Sequence, residues 1–379
     1  MTWAEVSGRR FARQGLTTPM ADAGPADAAA AMCGAHAQVQ SAAELSIGLR
    51  LTGVTQSDIR AALWTERSVV KTFGPRGTVH LLPSRDLPMW CAALSAIPPA
   101  RSPFTDDVRM TTDQTEAVLA AIADALVDAE LTIDELTSAI VERTGSWAGD
   151  LVMPAFQGMW PRWRQALSLA GTRGVLCYGP NRGRTVTYTS PQRWIPDLAT
   201  ADSPTAPEDL LRRYLTAYGP ATPEHYARWL NAPPTWSAKL FESVDDELES
   251  VEVEGTLAWQ LVGDDAPTVT AEGVRLLPYF DAYAVAGQPR SLLFPPRAAE
   301  RALAGGQAGN FPVLLVDGTV AGVWHHRRAG RKVAITVEPL SPLTSRQRRG
   351  LDEQVDRVGE ILEATAALTV GTVSVGPHA

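Results

Sequence analysis

Thr55-Gln56-Ser57-Asp58, then Ser68-Val69-Val70-Lys71-Thr72-Phe73, Gly74-Pro75-Arg76-Gly77 and Thr78-Val79-His80-Leu81-Leu82 read in order as a capped helix and a two-stranded wing. Threonine followed three residues later by an acid marks a helix start, because each side chain can satisfy a backbone amide of the other. The helix is expected to run to about Thr65. The β-branched residues that follow favour strands, and glycine and proline between them favour a tight connection. Helices followed by a β wing form the winged-helix variant of helix-turn-helix.

The same order recurs twice. A second copy starts near Thr132-Ile133-Asp134-Glu135, with a helix expected to end around Ala170. Val175-Leu176-Cys177-Tyr178 and Thr185-Val186-Thr187-Tyr188 then flank Gly179–Arg184. A third has helices near Pro207–Tyr218, Thr222–Leu230 and after Pro234, then strands at Val251-Glu252-Val253 and Leu257–Leu261. The spacing is irregular, so the copies form an array and not a solenoid.

The C-terminal part differs. Arg275–Phe280 and Phe311–Val316 read as buried strands, and Asp317-Gly318 as a tight turn. Val320–Arg328 and Lys332–Val337 read as a long hairpin joined at Ala329-Gly330-Arg331. From Thr344 to about Ala366 the chain reads as an amphipathic helix, with Leu351, Val355, Val358 and Leu362 on one face. The expected fold is α+β, with units at 1–100, 101–198 and 199–264, and a β-rich region at 265–379 carrying the hairpin (320–337) and a terminal helix.

Composition narrows the classes. Of 379 residues, 45% are apolar and 20% charged, as in folded soluble proteins. No apolar run is long enough to span a membrane. Met1 to Gln14 carries Glu5, Arg9, Arg10 and Arg13 and lacks a secretory core. Cys33, Cys91 and Cys177 are scattered and read as reduced thiols in a cytoplasmic protein. The net charge of −8 argues against a wholly basic nucleic-acid binder, though a local basic surface is compatible with it.

Gln38-Val39-Gln40 stands just before Ser41-Ala42-Ala43-Glu44, a second capping signature. An extended approach would turn Gln38 and Gln40 to the same side. Two neutral amides would then face one space, where they can hold a water or a sugar without adding charge. Trp324, His325, His326, Arg327, Arg328, Arg331 and Lys332 make the long hairpin the most basic stretch. It suits DNA contact, or equally a charged edge that resists aggregation. His80 is either a strand histidine bonded to backbone or a group sharing the glutamines' space. Asp281, after an apolar strand, is either a structural acid or a cleft acid, the structural role being favoured. Trp160 and Trp163 would share a helical face and pack in the core. Gly-x-Gly-x-x-Gly, P-loop and Gly-x-Ser-x-Gly motifs are absent, as is any metal-ligand spacing.

Ala37–Leu45, Arg76–Leu81, Tyr214–Thr222, Leu276–Tyr283 and the Val320–Val337 hairpin together resemble the AlkZ/YcaQ family of winged-helix DNA glycosylases. The resemblance covers most of the chain in the same order. It implies three tandem winged helices around a concave DNA channel, closed by the C-terminal β region. The family signature is Gln-apolar-Gln in the AlkZ branch, which Gln38 and Gln40 match. It further implies a DNA-contacting hairpin, no metal and no cofactor. The implied partner is double-stranded DNA bearing N7-alkylguanine adducts or interstrand crosslinks from genotoxic natural products, met by a monomer. Two other readings remain at this point: a non-catalytic winged-helix DNA binder and a protein that sequesters the toxin.

Overall fold

The computed structural model describes residues 1–99, 102–155, 158–195, 198, 203–265 and 270–376. The unit limits expected at 100/101 and 198/199 touch residues outside that set.

Helices Pro25–Ala31, Gln40–Gly48 and Gln56–Trp64 precede strands Val69–Phe73 and Val79–Pro83. Those strands pair antiparallel, and the short strand Ala35–His36 adds to Val79–Pro83 on its other side. The Thr55 cap forms as expected, with Asp58 accepting from the Thr55 amide at 2.8 Å. Arg76 (φ 63) and Gly77 (φ 65) supply the left-handed turn of the wing.

A second group repeats the order, but its expected long helix is broken. Ile133–Thr144 stops at Gly145, whose φ of 109 suits only glycine. A small hairpin, Leu151–Pro154 with Met159–Pro161, intervenes before the helix Leu167–Thr172. Trp160 and Trp163 therefore do not share a face. Trp160 lies exposed on a strand under the Arg164 guanidinium, 3.9 Å from the ring centre. Trp163 sits in a 3₁₀ turn, fully buried, and donates to Thr137 Oγ1 at 3.0 Å. The strand Leu131–Thr132 pairs with Thr185–Thr189, which pairs with Cys177–Arg182. The third group has helices Ala206–Tyr218, Pro223–Leu230 and Pro234–Glu242 and an antiparallel pair, Leu248–Val253 with Thr256–Leu261. A single bridge, Ala221 to Trp259, replaces the short strand.

The C-terminal region holds a five-stranded sheet in the order Val274–Leu277, Val313–Val316, Thr319–Ala329, Lys332–Pro339, Thr365–Val370. The last strand corrects the reading of a helix to Ala366. The helix Ser345–Ile361 ends early, Glu363 turns left-handed (φ 53), and Thr365–Val370 joins Lys332–Pro339 in parallel. Its β-branched residues suit a strand better than a helix. The hairpin is therefore covered in part: residues 319–323 pair with Val313–Val316 and residues 332–337 with Thr365–Val370, while residues 325–329 pair only with the hairpin's other strand and keep an open edge. Leu351, Val355, Val358 and Ile361 pack the terminal helix on this sheet.

The N-terminal helix Trp3–Arg13 escaped the sequence reading, although Thr2 and Glu5 form a capping box. Trp3 and Val6 pack on Val253 and Ala258 of the third group's strand pair. Arg10, buried, donates to the carbonyls of Tyr218 (2.6 Å), Pro220 (3.1 Å) and Gln288. Cys33, Cys91 and Cys177 are free and buried, and burial raises each thiol's pKa. No described helix is long and apolar enough to cross a membrane.

One tie registers the first group against the C-terminal sheet. Arg50 meets Asp281 through two bonds, Nη1 to Oδ2 at 2.8 Å and Nη2 to Oδ1 at 2.9 Å, with both side chains fully buried. Ser46 Oγ (2.6 Å) and the Tyr283 amide (3.0 Å) also donate to that carboxylate. Removing one partner leaves an uncompensated buried charge. Asp281→Asn is therefore expected to lower unfolding stability by about 3–5 kcal/mol, read as a lower urea midpoint with unchanged denaturant slope.

Candidate functional site

The two glutamines do not lie on one extended segment. Val39 is the N-cap, with φ −109 and ψ 104, and Gln40 is the first residue of the helix Gln40–Gly48. Ser41 makes no capping bond. Glu44, the expected capping partner, is fully buried and serves as a hub instead. Its carboxylate accepts from Gln40 Nε2 at 2.9 Å, Gln56 Nε2 at 2.7 Å and Arg60 Nη2 at 3.0 Å. A buried carboxylate needs such donors, and this demand outweighs the exposed capping geometry.

Gln40 is held at both ends, because its Oε1 accepts from Lys71 Nζ at 2.9 Å. This settles which end of the amide carries the oxygen. Lys71 in turn sits over the Tyr178 ring at 5.0 Å. Burial draws its pKa below the usual lysine value, against the opposing pull of Glu44. Gln38 is different. It is exposed, its amide has no protein partner among the described residues, and it lines a cavity of about 530 Å³. The bend into the helix between the two residues thus sends their amides to different surroundings.

The hairpin reaches this segment from the other side. Val39 and Ser41 share a cleft of about 150 Å³ with Tyr279, Trp324, His325 and His326. Trp324 is not a DNA-facing tip. It is fully buried and donates from Nε1 to the Leu277 carbonyl at 2.8 Å. Its strand position points it inward, into the C-terminal core. Arg327, Arg328, Arg331 and Lys332 are exposed at the far end of the hairpin. Arg328 Nη1 donates to Gln56 Oε1 at 3.1 Å, so a bonded chain runs from the hairpin through Gln56 and Glu44 to Gln40.

His80 and Asp281 stand back from the open space. His80 is buried, its Nδ1 is 2.9 Å from the Thr78 carbonyl, and its ring meets His36 edge-on at 4.9 Å. His36, on the neighbouring strand, lines the cavity and stacks on Phe280 at 4.5 Å. Asp281 is the buried partner of Arg50, as its structural reading expected. The sequence reading missed Glu44, Gln56 and Lys71, because a polar network among three elements has no linear signature.

Helix-and-wing groups and a hairpin with a basic far end thus meet around the segment that carries Gln38 and Gln40. The chain belongs to the AlkZ-like family of DNA glycosylases, and the family description, DNA glycosylase AlkZ-like, matches residues 29–361. It is 32% identical over 334 residues to an interstrand DNA cross-link repair glycosylase of Streptomyces sahachiroi, covering 85% of this chain and 87% of that one. It is also similar to the solved structure of the Streptomyces sahachiroi DNA glycosylase AlkZ, with a TM-score of 0.79 and 27% identity over 98% of this chain and all of that one.

Burial makes the histidines near the site a source of pH sensitivity. Desolvation is the first cause in each case: it draws His36 to about 3 and His326 to about 4, and holds His80 well below 6.5. Nearby cations add to it, Arg76 at His36 and Arg328 at His326. These groups are neutral when folded but protonate near 6.5 when unfolded. They cost nothing above pH 6.5, and stability is lost as pH falls from there toward about 4, at up to about 1.4 kcal/mol per pH unit for each histidine. Urea unfolding at pH 7.0, 6.0 and 5.0 is expected to show this decline before most carboxylates titrate.

Proposed function

We propose that this chain is a monofunctional DNA glycosylase that hydrolyses the N-glycosidic bond of bulky, cationic N7-alkylguanine lesions and unhooks interstrand crosslinks. In this reading Gln38 and Gln40 carry catalysis, and the three helix-and-wing groups are winged helices around a concave DNA channel, expected limits 1–100, 101–198 and 199–264. The hairpin, through His325, His326, Arg327, Arg328, Arg331 and Lys332, presses on the duplex. One copy acts alone. Repair of, and self-resistance to, a genotoxic natural product is the corresponding role. The Streptomyces sahachiroi relative named for interstrand cross-link repair supports it.

The observation that carries the proposal is the placement of the two amides. Gln38 lines a cavity with no partner for its amide among the described residues, while Gln40 is clamped between Lys71 and Glu44. Alkylation at N7 makes guanine a good leaving group, so no strong acid is required. What remains is to orient a water and to stabilise an oxocarbenium-like sugar. Positioned dipoles do both. Gln38 suits the adaptable task of holding water. Gln40, its orientation set, keeps its carbonyl's second lone pair available toward the reacting centre. Neither amide is a strong base, so neutral lesions such as uracil should be poor substrates.

The regulator alternative needs a free recognition helix. Here Gln56–Trp64 is occupied, because Gln56 binds Glu44 and Arg328, and Ser57 Oγ donates to Glu363 at 2.5 Å. That disfavours groove reading by this helix.

Single-turnover base release, measured by alkali cleavage of duplex DNA carrying N7-methylguanine or a bulky N7-guanine crosslink, tests the reading. Gln38→Ala and Gln40→Ala are each expected to slow release by about 10²-fold while DNA binding persists. No release by wild type from either substrate would overturn it, as would uracil release at a comparable rate. Deleting the hairpin tip, Arg328–Lys332, should impair crosslink unhooking; undiminished unhooking would remove the hairpin from the mechanism.

A further inference from the structure

Three arginines from distant parts of the sequence share the cavity beside Gln38. Arg76 lies on the turn of the first wing, Arg228 on the helix Pro223–Leu230, and Arg290 at the start of Arg290–Leu293. Each is anchored by neutral acceptors. Arg76 Nη1 donates to the Trp229 carbonyl at 2.7 Å, and Arg228 Nη1 to Gln288 Oε1 at 3.1 Å. Arg290 Nη1 and Nη2 donate to the carbonyls of Ala284 (3.0 Å) and Val285 (2.8 Å). A guanidinium has five N–H donors, so several remain on each.

No carboxylate among the described residues pairs with these guanidinium groups. Among the described residues none of the three arginines forms a salt bridge, and no Asp or Glu lines the cavity. Glu224 feels the charge of Arg228 but lies outside the wall. Burial first, then the charges of Arg228 and Arg76, draws Arg290 down to about 10. A separate sign comes from His36. It is 8% exposed, lies on the same wall, and its buried Nδ1 has no hydrogen-bond partner. Buried polar atoms are rarely left so unless something else completes them.

We infer that this cavity is a phosphate cradle, in which Arg76, Arg228, Arg290 and His36 grip one backbone phosphodiester of the DNA strand next to Gln38. The inference rests on the DNA-glycosylase reading above and names what that cavity holds. Guanidinium groups match phosphate oxygens in geometry and charge. The same charges repel a cationic N7-alkylguanine, so the cavity is not a pocket for the lesion base. Gripping the phosphate sets its sugar beside Gln38 while the bulky base stays outside.

A double-mutant cycle tests this with the full chain. Duplexes carrying an uncleavable abasic-site analogue are made with one methylphosphonate at each successive position around the site. Binding is measured by fluorescence anisotropy for wild type, Arg290→Gln and Arg228→Gln. Arg228 is exposed, so its variant keeps the test alive should Arg290→Gln fold poorly. Neutralising one particular phosphate should weaken wild-type binding about tenfold, and that penalty should largely vanish in either variant, with the salt slope lower by about 1. An equal penalty at every phosphate in wild type and variants would overturn the inference. So would competition by inorganic phosphate without any coupling to a DNA position, which would assign the cavity to a free anion. The two readings fail separately. Coupling without base release sinks the catalytic reading alone, whereas base release without coupling sinks the cradle alone.

Discussion

Two buried opposite charges, Arg50 and Asp281, hold this molecule in register across 231 residues of chain. Charges removed from water are tolerated only when every lone pair and proton finds a partner. Ser46 and the Tyr283 amide supply further partners, so the geometry allows little slack. Ser46 belongs to the helix that Gln40 begins, and Asp281 follows Phe280 directly. The pair therefore places the glutamine segment against the loop whose Phe280 ring stacks on His36. Leu45 and Leu49 enter the C-terminal core from the same region and support that placement.

A second polar network acts on the glutamine segment itself. Lys71, Gln40, Glu44, Gln56 and Arg328 form a bonded sequence from the first wing to the hairpin. Its centre is a buried carboxylate, so the partners are fixed by the cost of leaving it unsatisfied. Gln40 gains one orientation, and the hairpin gains a physical link to it. Gln38, two residues earlier, is left outside the network and open to solvent. A rigid amide and an adaptable one thus stand two residues apart, in different surroundings. Charge is partitioned as well. The chain is acidic overall at −8, yet the cavity beside Gln38 collects guanidinium groups. Net charge says little about a local surface, because only nearby charges act strongly through a partly buried space.

Much of the architecture is legible in local patterns. Thr55 and Asp58 form the expected reciprocal cap, and Thr132 with Glu135 and Thr344 with Gln347 form the same kind at helix starts that the sequence places there, since a cap needs only residues three apart. Asp317-Gly318 makes its tight turn with both residues left-handed. Readings failed where a long-range demand overrode a local one. Ser41 and Glu44 look like a cap, but Glu44 is claimed by Gln56 and Arg60. Residues near 366 look like the end of an amphipathic helix, but Lys332–Pro339 offers a strand partner. Trp324 looks like part of a basic surface, but its side of the strand faces the core.

The sequence by itself determined most element types, the order of the helix-and-wing groups and the two glutamines worth testing, which rest on spacing and residue chemistry within a few positions. The family came from resemblance over most of the chain. Tertiary structure alone decided that Gln38 is free and Gln40 clamped, that Asp281 is sealed away with Arg50, and that Arg76, Arg228 and Arg290 meet in one cavity. The physical reason is that buried charge and hydrogen-bond satisfaction are settled between segments brought together by folding. No local period in the chain encodes which distant donor will answer a buried carboxylate.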